Sequence, residues 1–516
     1  MKRFSLCLVF LLSAAALARP VTVEELEAHI RFLAHPLTEG RGLGSEGLEI
    51  ASLYIESQFR EAGLQPVFDG SYRQEFELLG STPDPEAALQ LPGNSELSYG
   101  EDFLVFTSHR DLPEELRGEL VYCGYLISAP EREWDDIKGA DLKDKILLVE
   151  VNEPGNEEGG LFEGPVMTYY GRWTYKYEQA ARLGARGVLL IHNDKRATYG
   201  WSVVRNSWTS EGFTIPEEFL GSPFQGWISE EVAGQVFAEA GLDHDQLLAR
   251  AETPGFKPVA LNQTAALRFS PTFRTVKTSN IGALLAAENP AEAPTVVLTA
   301  HHDHIGTADG KVYSGVVDNS SASSVLLALA RYFSEQEKLP INLLFVSVSA
   351  EEQGLWGSRY LIANPPVPRQ KIWANINLEM TNIWGPTEDV YAIGAANSDL
   401  DQVAREAADK IGVRYIEELD KENGFFFRSD QFSFARAGIP GLWPHEGPSS
   451  DSGVAEKRKN YRATHYHQTS DSLAEQSKEW NLEGTLQITD WVVAMIEVLA
   501  SRSEAPEWVE GSAFSR

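Results

Sequence analysis

Cysteine is almost missing from this chain of 516 residues: Cys7 and Cys123 are the only two. The N-terminus, MKRFSLCLVFLLSAAALARP, puts Lys2 and Arg3 before a short apolar run, with small residues at Ala16-Leu17-Ala18. That pattern predicts a secretory signal over residues 1–18 and export to the periplasm or the outside. Removal after Ala18 leaves Cys123 alone, so an intramolecular disulfide is excluded and stability must come from core burial or bound metal. Basic residues are also scarce, 44 against 75 acidic ones, for a net charge of -31. Such a surface repels duplex nucleic acid, which excludes a nucleic-acid partner, and it repels acidic membrane surfaces too. No later apolar run reaches bilayer length, so no membrane anchor is expected. Three catalytic signatures are missing as well: H-E-x-x-H, the G-x-S-x-G elbow and the phosphate-binding G-x-x-x-x-G-K-[ST].

What is present is a long globular chain, 43% hydrophobic, with room for two or three domains. Residues 21–65 read as two helices. Thr22 to Glu25 fit a capping box, and Leu26, Ile30 and Leu33 recur at helical spacing. Between the helices GLGSEG, residues 42–47, follows a helix and not a strand, so it reads as a mobile loop and not as a dinucleotide fingerprint. From residue 111 to about 265 short apolar runs such as KILLVEV and GVLLIHN suggest a compact β-rich insert. Beyond it strands at 295–300, 341–349, 373–379 and 439–443 alternate with helices at 319–335 and 398–411. This alternation predicts an α/β fold with a doubly wound sheet flanked by helices. The division expected is 19–110 and 266–505 for the main domain, 111–265 for the insert and 506–516 for a tail.

Open α/β sheets bind ligands beyond the carboxyl ends of their strands. There TVVLTA delivers His301-His302-Asp303-His304, INLLFVSVSA delivers Glu351-Glu352, ANINL delivers Glu379, and a helix starts just after Asp318. Converging acids repel one another unless a cation neutralises them. Imidazole with carboxylate suits zinc, with manganese or cobalt as alternatives. Of two adjacent glutamates, one can bind metal while the other handles protons.

The pieces AHHDHIG, GVVDNSSAS, SAEEQGLWGS, NLEM, FFRSDQFSFARAGIP and YHQTSD stand in the order found in the M28 family of co-catalytic zinc exopeptidases, which this sequence resembles. KGADLKDKILLVEVNEPG and YYGRWTYKYEQAARLGARGVLLIHN are similar to the protease-associated (PA) insert that some members carry. The resemblance implies a zinc-exopeptidase fold with two Zn2+ per chain. Asp318 would bridge them, His301 and Glu379 would complete one site, and Glu352 and His467 the other. Glu351 would be the general base, and Asp303 would orient His301. Three positions depart from the family pattern: Glu379 where aspartate is commoner, Gln431 where histidine is common, and Ala322 near a usual glycine. His302 and His304 read as structural, His302 projecting away and His304 at the rim. His465 is set aside for His467, and His445 is left open between loop and crevice.

Peptides are the implied substrates, and an aminopeptidase is preferred. A carboxypeptidase would hold a C-terminal carboxylate, for which Arg428 is the candidate unless it pairs with Asp430. A one-zinc glutaminyl cyclase and a non-catalytic binding relative are the remaining alternatives. Oligomeric state stays open.

Overall fold

The computed structural model describes residues 19–94, 96–216 and 221–515. The expected signal segment lies outside the described residues. No helix among the described residues is long and apolar enough to cross a membrane.

Two sheets organise the chain. The larger has ten strands and is mixed. Its centre is Thr295–His301, parallel to Asn342–Val348 on one side and to Ile372–Asn377 on the other. Gly441–Glu446 continues the parallel run, and Asp389–Ile393 then pairs antiparallel. On the opposite flank Thr272–Leu285 runs antiparallel between Asn342–Val348 and Arg73–Thr82.

The central strands are apolar on both faces, as strands covered by helices on both sides must be. Side chains alternate between faces. Val296, Leu298 and Ala300, with Leu343 and Phe345, pack into one core with Val23–Leu33, Glu46–Glu61, Ala322–Ser334, Leu400–Ile411 and Glu483–Ala500. Val297, Leu344, Val346 and Val348 face the other way, onto Leu361, Ile362 and Phe434 of helices Trp356–Ala363 and Gln431–Arg436. The doubly wound mixed sheet flanked by helices is therefore present.

Strand starts and ends differ from the sequence expectation by up to three residues. Thr22 caps the first helix, its Oγ1 accepting from the Glu25 amide at 3.3 Å. Of the GLGSEG stretch, Gly42 and Gly47 are buried and Glu46 and Gly47 already belong to the second helix. Ser45 caps the second helix, and a Cβ on Gly47 would lie 1.9 Å from the Thr38 carbonyl oxygen. Only glycine permits that close passage of backbone.

The second sheet has seven strands and its own core. It draws on Ala88–Gln90 and Phe103–Phe106 and closes with Val259–Arg268. The strands of this sheet thus span residues 88 to 268, a wider stretch than the 111–265 expected for the insert. The early strands escaped notice because they are only three and four residues long and lie in Pro- and Gly-rich sequence. The insert also returns one strand, Gly212–Thr214, to the edge of the large sheet against Leu79 to Ser81. Residues 506–515 are bound to the body: Trp508 Nε1 donates to the Gly438 carbonyl at 3.0 Å, and Phe514 packs on Phe432.

Candidate active site

Three strand ends, the helical turn at Asp318 and one late loop converge at the carboxyl edge of the large sheet. His301 is the last residue of its strand. Its Nε2 lies 3.2 Å from Asp318 Oδ1 and 3.3 Å from Glu379 Oε1. The other oxygen of Asp318, Oδ2, lies 3.1 Å from His467 Nε2. His467 Nε2 is also 3.1 Å from Glu352 Oε2. Asp318 therefore turns one oxygen toward each of two trios. The structure brings together His301, Asp318, Glu352, Glu379 and His467.

Glu351 joins them, its Oε2 4.0 Å from His301 Nε2. Its carboxylate makes no hydrogen bond among the described residues, unlike Glu379, which accepts from Ser429 Oγ at 2.8 Å. His304 departs from expectation. It is buried beside Glu352, with Nδ1 2.6 Å from Glu352 Oε1, and does not sit at a rim. Its Nε2 is buried with no partner among the described residues. His304 immediately follows Asp303, and the chain turn after His301 swings it back into the crevice.

Asp303 also behaves differently. Its carboxylate accepts the amides of Glu351 at 3.2 Å and Glu352 at 3.4 Å. The close contact to His301 Nδ1, 3.1 Å, comes from the Asp303 carbonyl oxygen, while the carboxylate stands 3.8 Å away. Asp303 thus fixes the glutamate pair directly and the histidine through its backbone.

His302 points to the opposite side, between Ser52 Oγ at 3.0 Å and Ser347 Oγ at 3.1 Å. His465 Nδ1 bonds Ser470 Oγ at 2.8 Å. His445 stacks on Tyr391 and bonds the Glu446 carbonyl, away from the acidic trios. Gln431 stands behind the strand end, where its Oε1 accepts from Asn377 Nδ2 at 2.9 Å. Arg428 is not brought to the site. It lies near Phe425 and Arg172, and among the described residues it forms no ion pair, with Asp430 or any other acid.

Two supports were given no role in the sequence analysis, although Asp471 ends the YHQTSD piece. Arg41 is buried, and its guanidinium donates to the carbonyls of Leu33, His302, Ser314 and Gly315 at 2.7–3.0 Å. It ties the turn after His301 to the loop before Asp318. Asp471 accepts the amides of Val317 at 3.1 Å and Asp318 at 3.3 Å, and the Tyr461 hydroxyl at 2.9 Å. Arg41→Met is expected to lower unfolding stability by on the order of 3 kcal/mol or more, because four buried carbonyls lose their donor. Arg41→Lys should not rescue it, since a point ammonium cannot serve the planar fork. Denaturant unfolding of both variants checks this, and wild-type stability in either would refute the clamp.

Burial would lower His301, yet Glu379 and Glu351 hold its imidazole well above the usual range. Glu352 and Asp318 likewise raise His467 to about 11 against the effect of burial. Burial pushes Glu351 well above the ordinary carboxylate range, and Glu379 and Asp430 add to that rise. The site thus draws protons onto its histidines to offset buried carboxylates. A divalent cation provides the same neutralisation and displaces those protons. The separations of 3.1–3.3 Å among the donor atoms match the spacing of about 3.3 Å between ligands around a tetrahedral ion bound at about 2.0–2.1 Å. Two three-residue groups meet the geometry for holding a metal, His301 with Glu351 and Glu379, and His304 with Asp318 and Glu352. The residues present fit metal ions.

Residues 280–489 match the model of Peptidase family M28. This stretch is an M28 peptidase domain. The match makes this part of the chain a peptidase, and so a hydrolase. All the residues of the two trios and Glu351 lie inside the matched segment. Among solved structures, an aminopeptidase from Aneurinibacillus sp. strain AM-1 is 21% identical, with 95% of each chain covered and a TM-score of 0.52. That likeness shows a shared fold along nearly the whole chain. BSAP, a zinc aminopeptidase from Bacillus subtilis, is 19% identical over 94% of this chain and 97% of its own, with a TM-score of 0.46. The Peptidase M28 precursor from Shewanella amazonensis SB2B is 17% identical over 94% and 96%, with a TM-score of 0.40. A search of curated proteins finds no match to this chain.

Proposed function

We propose that the chain is an exported zinc aminopeptidase that releases N-terminal residues from peptides with two metal ions per chain. The observation that carries this reading is the carboxylate of Asp318, with one oxygen toward His301 and Glu379 and the other toward His467 and Glu352. His301, Glu379 and Asp318 would hold one ion; His467, Glu352 and Asp318 would hold the other. Zinc, when bound, supplies Lewis acidity to a water and to the scissile carbonyl.

The chain's own groups do the rest. Glu351, unengaged by hydrogen bonds and beside His301, takes the water's proton at a carboxylate oxygen and passes it to the leaving amine. Asp303 holds the Glu351 and Glu352 amides and so fixes where both carboxylates point. Ser429 holds Glu379. The outer face of the site is open at His467, whose side chain is 35% exposed, while His301 is sealed at 1%. Substrate therefore enters past His467 and Glu351. We read the second sheet as the protease-associated insert, and residues 1–18 as the export signal.

The test is hydrolysis of free-amine and N-blocked dipeptides, with bound metal counted on the same sample. Cleavage confined to free-amine substrates, with about two ions per chain, is expected of co-catalytic sites. Cleavage of N-blocked substrates bearing a free carboxylate would transfer the reading to a carboxypeptidase. Cyclisation of N-terminal glutaminyl peptides with about one ion bound would make the protein a cyclase.

A further inference from the structure

A cleft of about 680 Å³ lies between the insert and the peptidase domain. Its lining includes Glu352, Gln353 and Gly354, so it reaches the glutamate pair of the candidate site. It is also walled by Trp356 and Arg359 of helix Trp356–Ala363, by Arg436 of helix Gln431–Arg436, and by Glu178 of helix Trp173–Arg182.

Among the described residues, Glu178 is the one acid set against three arginines here, Arg182, Arg359 and Arg436. Glu178 is fully engaged: Arg436 grips it with Nη1 and Nη2, both at 2.9 Å. Arg182 and the Tyr169 hydroxyl also reach Glu178 Oε2, at 3.4 and 3.2 Å. Arg359 is left with Glu178 Oε1 at 4.0 Å, beyond hydrogen-bond reach. Its guanidinium makes no hydrogen bond among the described residues, although the side chain is only 15% exposed. It lies over the Trp356 ring, 4.8 Å from the centroid. Trp356 and Arg359 stand three apart on one helix, so they share the face that looks into the cleft. Burial lowers Arg359 to about 10, so it remains charged at neutral pH.

A planar guanidinium braced on an indole, with unused donors in a partly dry cleft, is suited to bidentate capture of a carboxylate. We propose that Arg359 binds a carboxylate of the substrate on the leaving-group side, which makes the preferred substrates short or acidic peptides. This inference rests on the peptidase reading for the word substrate, and on the cleft alone for the carboxylate. The carboxylate has two sources, the C-terminus of a short peptide or an acidic side chain farther along.

The experiment uses the zinc-loaded full chain and three peptides: Leu-Gly-Gly, its C-terminal amide, and Leu-Glu-Gly amide. The acids should exceed the neutral amide by about tenfold in kcat/KM, the value of one charge-assisted hydrogen-bonded contact. Arg359→Gln should bring that ratio close to one, and Arg359→Lys should keep part of it. A preference for Leu-Gly-Gly identifies the terminal carboxylate; a preference for Leu-Glu-Gly amide identifies the side chain. Because the ratio is internal to each protein, partial misfolding does not imitate the result. Equal kcat/KM for all three peptides in the wild type, or a ratio that survives in Arg359→Gln, overturns the proposal. Calorimetric binding of Leu-Gly-Gly and its amide to the same proteins separates the two failures. Tighter binding of the acid, lost in Arg359→Gln, with no hydrolysis, would sink the peptidase reading and leave the carboxylate site standing.

Discussion

Glu351→Gln is expected to lower kcat by about three orders of magnitude, within the range attributed to a positioned general base, while bound zinc stays near the wild-type count. The two halves of that expectation come from different observations. Glutamine keeps the length and shape of the side chain but cannot accept and return a proton at physiological pH. The metal half follows from Asp318, His301, Glu379, His467 and Glu352, whose donor atoms meet one another at 3.1–3.3 Å without Glu351. Asp303 grips the Glu351 and Glu352 main-chain amides, not their side chains, so the substitution leaves that support in place. KM for a free-amine dipeptide should change little, since the base acts in the transition state. Steady-state kinetics and metal analysis on one preparation check both halves. Loss of zinc along with activity would reassign Glu351 as a ligand, a role its place with His301 and Glu379 makes concrete.

Much of this site could be read along the chain because its parts sit at strand ends. Strands buried on both faces announce themselves as unbroken apolar runs, and whatever polar residue follows must lie at the sheet edge. That logic reaches His301, the Glu351-Glu352 pair and Glu379 without any structure. His467 follows no strand, and only its YHQTSD setting pointed to it. The roles of Arg41, Asp471 and His304 were out of reach for a different reason. Arg41 acts on carbonyls at residues 33, 302, 314 and 315, and backbone acceptors leave no trace in a sequence. His304 looks equivalent to His302 by type and spacing. One turn after a strand end, which of the two faces the crevice depends on the path of the loop. Arg428 and Arg359 make the converse case: both are arginines near motif residues, and only packing shows that Arg359 is the one that lines the cleft beside Glu352.

Asp318→Asn is the substitution expected to reach furthest. Both trios share this carboxylate, so losing its charge weakens both at once. The amide is nearly isosteric, and the backbone contacts from Asp471 to the amides of Val317 and Asp318 do not involve the side chain replaced. The fold should therefore persist while bound zinc falls from about two ions to at most one. Activity should fall by on the order of 10⁴, in line with removing one member of a group that works as a unit. Such groups are non-additive, so Asp318→Asn combined with Glu351→Gln should be little worse than Asp318→Asn alone. Thermal unfolding with and without zinc provides a second readout. Zinc at a thousand times its dissociation constant stabilises a folded protein by about 4 kcal/mol, and the rise in Tm that this gives the wild type should shrink in Asp318→Asn. Full zinc content in Asp318→Asn would show that the two trios do not depend on a shared carboxylate. Loss of one ion with most of the activity kept would mean that a single metal suffices for the reaction.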